Sequence, residues 1–95
     1  MKYDIQINGH AETIDLNKNA DGTVIGTIAS PEGGAGTVSG SWSEDGCVDG
    51  ELELAGHHAK FSALIIGDKI KGTIRVKVGP FWVGGPSFAG QEATA

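Results

Sequence analysis

The chain has 95 residues, of which 39% are hydrophobic and 20% are charged, and its formal net charge is -5 at pH 7. This length fits a single domain with a modest core, and the hydrophobic content excludes a disordered chain. The acidic balance predicts that neither nucleic acid nor an anionic membrane surface is a partner, because both attract clustered lysine and arginine. No apolar run approaches the length of a membrane-spanning helix.

A cytoplasmic location is the expectation from two local features. Cys47 is the only cysteine and therefore has no partner for an intramolecular disulfide. The N-terminal residues MKYDIQING lack the apolar stretch of a secretory signal.

The first two predicted strands form a hairpin. Residues 2–8 alternate in polarity, with their apolar side chains on one face. Asn8-Gly9 follows, and this dipeptide favours a two-residue type I′ turn because both residues tolerate positive φ. The return strand, residues 10–16, places His10 and Glu12 on the same face as its apolar residues.

Later strands share an apolar-Gly-apolar pattern at alternate positions. The pattern occurs four times, as Val24-x-Gly26-x-Ile28, Val38-x-Gly40-x-Trp42, Val48-x-Gly50-x-Leu52 and Ile70-x-Gly72-x-Ile74. Alternation places all three residues of each copy on one inner face. A glycine in mid-strand marks a sharp bend or the close approach of another backbone. The repeated pattern therefore indicates a tightly curled sheet.

Turn signals recur about every ten to twelve residues, and no window has a helical period. The sequence predicts an all-β fold, an antiparallel up-and-down meander of about seven to eight short strands. Closure into a small barrel removes exposed strand edges, and a β-sandwich is the alternative. We predict one domain over residues 1–90 and a flexible tail over residues 91–95.

The residues from Gly79 to Phe88 contain three of the six aromatic side chains among glycines and prolines. One interpretation is a short closing strand or a plug over one end of the barrel. The other is a docking surface, or a lid over a ligand cavity, because exposed aromatic side chains mark interaction sites.

Charged and ligand-type residues do not form a recognisable catalytic or metal motif. His10, His57, His58 and Cys47 lack zinc spacing, and adjacent histidines on a strand point to opposite faces. Asp49, Glu51 and Glu53 fall on one strand face and match no calcium loop, which favours a solvated outer face. They could pair with Lys71, Arg75 and Lys77 if the two strands were neighbours. We predict no metal and no cofactor, and acidic neighbours predict a weakly nucleophilic Cys47.

Several features resemble the small bacterial lipocalin-like, or calycin-like, barrels. They are the turns Asp21-Gly22, Asp45-Gly46 and Gly67-Asp68, the apolar-Gly-apolar strands, and the Gly-x-Trp at Gly40-Ser41-Trp42. In lipocalins the Gly-x-Trp lies on the first strand, whereas here it lies in mid-chain. The resemblance implies a barrel that binds a small apolar ligand in its mouth.

Three functional hypotheses follow. The leading one is a non-enzymatic binding module for an apolar or mixed small molecule, with the site formed by His10, Glu12, Trp42, Phe61, Phe81 and Trp82 and with Ile74 and Val76 as further wall residues. The second is a structural or assembly protein that buries Phe81, Trp82 and Phe88 against a protein partner or a second copy. The third is a cavity enzyme of the cyclase or isomerase type, in which His10 and Glu12 act as acid and base. It requires at least one of these two residues to face a cavity near Trp42.

Overall fold

The computed structural model describes residues 1–30, 34–54 and 56–93 and contains eight antiparallel strands closed into a barrel. The strands are β1 (Lys2–Ile7), β2 (His10–Lys18), β3 (Thr23–Ala29), β4 (Ala35–Trp42), β5 (Cys47–Leu54), β6 (His57–Ile66), β7 (Lys69–Val78) and β8 (Phe81–Glu92). Each strand pairs with the next, and β8 pairs with β1 to close the sheet. The predicted all-β meander and its closure into a small barrel are confirmed. Within these three ranges, no helix is long and apolar enough to cross a membrane.

Glycines on the inner face allow the sheet to curl tightly. Gly40 and Gly50 lie directly opposite each other on β4 and β5. A Cβ atom on Gly40 would lie 2.2 Å from the backbone oxygen of Asp49 and 2.7 Å from the Cα of Gly50. No other residue fits such a contact without a backbone shift. The close backbone approach predicted from the apolar-Gly-apolar pattern is confirmed at this pair.

The inward-facing side chains form one core inside the barrel. None of its members exposes more than 9% of its surface, and they are Tyr3, Ile5, Ile14, Leu16, Val24, Ile28, Val38, Val48, Ala59, Phe61, Ala63, Ile65, Ile70, Ile74 and Phe88. Phe61 and Phe88 lie on strands that flank β7, where Gly72 opposes Phe88 and leaves room for its ring. The interior of the barrel is thus occupied by the protein's own side chains.

The last strand extends beyond the predicted domain boundary at residue 90. β8 continues through Gln91 and Glu92, and the Ala93 amide donates a 2.8 Å hydrogen bond to the Lys2 carbonyl. Pairing with both β1 and β7 therefore orders residues that polarity alone assigned to a tail. Residues 94 and 95 of that predicted tail lie outside the described residues.

Candidate binding surface at the open end of the barrel

The two ends of the barrel differ in how they are closed. We call the end that carries both chain termini the lower end, and the end that carries the β1–β2 and β7–β8 turns the upper end. At the lower end, turn carbonyls accept hydrogen bonds from the amides of neighbouring strands, namely Gly22 from Trp42, Gly46 from Ile65 and Asp68 from Glu92. Side chains at this end, such as Tyr3 and Val48, are fully buried. The lower end is closed.

One polar atom of the lower end has no partner. The Tyr3 hydroxyl is buried, and it makes no hydrogen bond to any described residue. Burial raises the pKa of Tyr3, and the charge of Glu92 opposite it on β8 adds to that shift. A buried hydroxyl without a partner costs stability.

At the upper end, the β7–β8 hairpin extends past its neighbours. β1 ends at Ile7, which pairs with Phe88 of β8. The part of β8 before Phe88 therefore has no β1 residue beside it. On the other side, the pairing of β6 with β7 ends at Ala59 and Val76. The residues around the Gly79-Pro80 turn therefore project beyond the barrel wall.

A β-bulge determines which side chains of this hairpin face the barrel axis. Gly85 and Pro86 on β8 together oppose the single residue Ile74 on β7. An extra residue reverses the alternation of side chains beyond it. As a result, the Val83 side chain lies opposite Val76 and on the same face of the hairpin. Val76 lies on the same side of β7 as the buried Ile74, so both valines face the barrel axis.

Four apolar side chains on this face remain exposed, and we call them the upper apolar surface. Their exposed fractions are 36% for Val76, 59% for Val78, 70% for Phe81 and 40% for Val83. Cross-strand pairing places Val76 against Val83 and Val78 against Phe81. Contiguous apolar side chains that remain in contact with water are typical of a binding surface.

His10 and Glu12 lie at the same end, at the start of β2. They oppose Ile7 and Ile5 of β1, so both fall on the inner-facing side of their strand. His10 is exposed and Glu12 is half-buried. Burial raises the pKa of Glu12, while the neighbouring His10 acts in the opposite direction. The pair forms a polar part of the upper rim.

The structure does not bring the six predicted site residues together. Phe61 is buried in the core. Trp42 lies at the lower end, where the Lys18 ammonium is 5.6 Å from its ring centroid. Trp82 lies on the outer face opposite Lys77, and the Lys60 ammonium covers its ring at 4.5 Å. Only His10, Glu12 and Phe81 lie on the inner-facing side at the upper end, and Trp42 lies at the other end, so the acid–base arrangement near Trp42 that the enzyme hypothesis requires is not formed.

Two residues of the upper apolar surface were absent from the predicted site, Val78 and Val83. Alternation along β7 would have placed Val78 with Val76. Val83 could not be assigned from the sequence, because its orientation depends on the bulge at Gly85 and Pro86. Phe88, predicted to contact a partner, is 5% exposed and belongs to the core.

The outer face of the barrel carries open grooves, two of which run beside β7. One, of about 520 Å³, follows β6 and β7 past Ser62, Lys71 and Thr73. The other, of about 400 Å³, includes Leu64, Ile66 and Ala89. Both lie on the outside of the sheet, so neither corresponds to the ligand site predicted in the mouth.

Acidic and basic outer faces are separated by one strand. β6 lies between β5 and β7, so the conditional pairing of the β5 carboxylates with the β7 cations does not form. Instead, Ser62 donates a 2.6 Å hydrogen bond to Asp49, and His58 Nε2 lies 3.4 Å from a Glu51 oxygen. In the part of the chain that the structure describes, no group of three metal-ligand residues is close enough to hold an ion.

Cys47 is half-buried at the start of β5. Burial raises the pKa of its thiol, and the carboxylates of Asp45 and Asp49 raise it further. This agrees with the predicted weak nucleophile.

Among the described residues, the fold and this surface define a small up-and-down β-barrel with inward side chains packed in its core, a lower end closed by turn-to-strand hydrogen bonds and exposed apolar side chains at its upper end. Comparison with known proteins assigns no family, because no family model matches the chain and no curated protein matches it significantly. The resemblance to lipocalins therefore remains a prediction that rests on strand and turn patterns.

Proposed function

We propose that this protein is a non-enzymatic docking module that binds a protein partner through the upper apolar surface. The observation that carries the proposal is the contrast between a filled barrel interior and four exposed apolar side chains on one projecting hairpin. Burial of apolar area is the main driving force of association, and aromatic side chains such as Phe81 dominate the energy of interfaces.

Site-specific photo-cross-linking in the cells that naturally produce the protein tests this function. Phe81 is replaced by p-benzoylphenylalanine, and the control carries the same group at Ile25. Ile25 is also apolar and is 56% exposed, on β3. We expect an adduct of discrete mass from position 81 that disappears when Val83→Lys is added, and none from position 25. Equal labelling at both positions, or no adduct at either, would overturn the proposal.

A small apolar or mixed ligand at the upper rim is the second candidate. It is supported by the position of His10 and the half-buried Glu12 on the inner-facing side, at the same end as Phe81. Such a rim offers an apolar floor with a few polar groups, as small-molecule sites do.

The native tryptophans are unsuitable reporters for that candidate, because Trp42 lies at the lower end and Trp82 points to the outer face, under the Lys60 ammonium. A Phe81→Trp variant in a Trp42→Phe, Trp82→Phe background places a reporter there, and Ile25→Trp serves as the control. Titration with fatty acids and aromatic acids should change the emission of the first variant saturably and leave the second unchanged. No saturable change at position 81 would exclude these ligand classes.

A cytoplasmic location is also proposed, on the basis of the single cysteine.

A further inference from the structure

The β8 edge that faces away from β7 is unpaired over part of its length. β1 pairs with β8 only between Phe88 and Glu92, whereas β7 pairs with β8 as far as Phe81. In an antiparallel strand, alternate backbone N–H and C=O groups point to each side. From Phe81 to Gly85, those on the free side therefore meet no strand of the described chain.

Two features by which proteins prevent strand pairing, charged side chains and prolines, are absent within this free edge, and the β-bulge at Gly85 and Pro86 lies at its end. The segment from Phe81 to Gly85 contains no charged residue and no proline. Pro86 has no N–H and so limits pairing to these five residues. Five residues are about the ordinary length of a strand.

We propose that a second copy of this chain occupies the edge, with the two β8 segments paired antiparallel about a two-fold axis at Val83. This inference rests on the proposed docking function and names its partner. Antiparallel pairing about that axis sets Phe81 against Gly85 and Trp82 against Gly84, with Val83 against its own copy. Each aromatic residue then meets a glycine, which makes the segment complementary to itself.

The net negative charge of the chain does not oppose this pairing. The charged side chains beside the segment are Arg75 and Lys77 on β7 and Lys60 on β6, whose ammonium covers the Trp82 ring, and no charge lies on the paired residues themselves. Three strand spacings separate the two β7 strands of such a dimer, about 14 Å. That distance exceeds the screening length of about 8 Å at physiological ionic strength.

Pairing would also extend the upper apolar surface across both copies. Phe81 and Val83 of one copy would lie on the same face of a continuous sheet as those of the other. Because the paired segments are short, we expect a weak dimer with a Kd on the order of 100 µM.

Sedimentation equilibrium of the purified chain, over concentrations spanning that Kd, tests the proposal. Val83→Lys sets two ammonium groups against each other on the axis, and we expect it to weaken dimerisation about 100-fold. Ile25→Lys also introduces a lysine at an exposed apolar position, but on β3, and should leave the Kd unchanged. Far-UV circular dichroism of both variants verifies that the barrel remains folded.

A second variant tests the axis without introducing charge. Val83→Cys in a Cys47→Ser background should form an intermolecular disulfide on mild oxidation, whereas Ile25→Cys in the same background should not. A chain that stays monomeric at about ten times the expected Kd would overturn the second-copy proposal. Equal effects of the two lysine variants, or equal cross-linking of the two cysteine variants, would overturn it as well. The docking function would still stand if the Phe81 photo-adduct had the mass of a different protein.

Discussion

Gly40 shows at the scale of a single residue how the shape of this sheet depends on a missing side chain. Its Cα packs against Gly50, and no Cβ atom fits between the two backbones. We expect Gly40→Ala to lower the free energy of unfolding by about 2–3 kcal/mol, because β4 and β5 must separate. Urea denaturation measures this change.

Gly84 provides the matched control for that substitution. A Cβ atom there would meet nothing within 4 Å, and its φ is not positive. Gly84→Ala should therefore change the stability by less than about 0.5 kcal/mol. Equal losses for the two variants would refute the close-approach explanation.

The unpaired hydroxyl of Tyr3 leads to a second prediction at this scale. Tyr3→Phe removes a buried polar atom that has no partner in the described chain and keeps the ring that fills the lower end. The free energy of unfolding should rise by about 1 kcal/mol in thermal or urea denaturation. A loss of stability would show instead that the hydroxyl is hydrogen-bonded, for example to an internal water.

Glu12 gives the barrel a predicted dependence on pH. Burial raises the folded-state pKa of this carboxyl above its ordinary value of 4.5, so ionisation favours the unfolded chain. The resulting cost is present above the folded-state pKa and is lost as the pH falls below the ordinary value. Glu12→Gln should therefore stabilise the protein at pH 7 and lose that advantage below pH 4.5. An advantage that is constant across this range would contradict the pKa shift.

The decisive feature at the scale of an element is the bulge in β8. Without it, strict alternation from the buried Phe88 would place Trp82 on the inner face and Phe81 and Val83 outside. Two residues opposite Ile74 reverse that order. One extra backbone residue thus determines which side chains of the hairpin form the upper apolar surface.

The same hairpin should be the least stable part of the barrel. Its tip projects beyond β1 and β6, and its side chains are exposed, so few contacts oppose local opening. In dilute solution, we expect the amides of residues 77–79, 81 and 82 to exchange with deuterium at least about 100-fold faster than those of Trp42 and Ile65. The latter two donate hydrogen bonds that close the lower end. Similar exchange at both ends would argue against an open upper end.

The whole molecule is asymmetric in both packing and charge. Turn-to-strand hydrogen bonds close the lower end, whereas the apolar side chains of the upper end remain in contact with water. Around the wall, the carboxylates of β5 and the cations of β7 lie on strands separated by β6. Charge segregation of this kind gives the wall of this chain, whose net charge is -5, an electrostatic potential that differs between its β5 and β7 sides.

Local sequence patterns were sufficient to predict the architecture of the sheet. Alternation identified the inner faces, including the position of His10 and Glu12 with the buried residues of β2. The recurring glycines indicated tight curvature, and the Asn8-Gly9 turn formed as predicted, with positive φ at both residues. These features were accessible because each depends on neighbours within a few residues along the chain.

The candidate site could not be predicted from local sequence patterns, because it depends on contacts between distant segments. Trp42, Phe61 and Phe81 look alike as aromatic residues near turns or on strands, yet they lie at the lower end, in the core and at the upper end. Their separation follows from the register of all eight strands and from the bulge, which arise only when the sheet closes.

The sequence by itself therefore determined the strand pattern, the inner faces and the curvature, since side-chain alternation and glycine sterics act locally. The tertiary structure alone decided that the inward side chains fill the core, that the lower end is closed and that part of the β8 edge has no neighbouring strand among the described residues. Those properties depend on where each strand stops relative to its neighbours, and strand length and register are set jointly by the whole closed sheet.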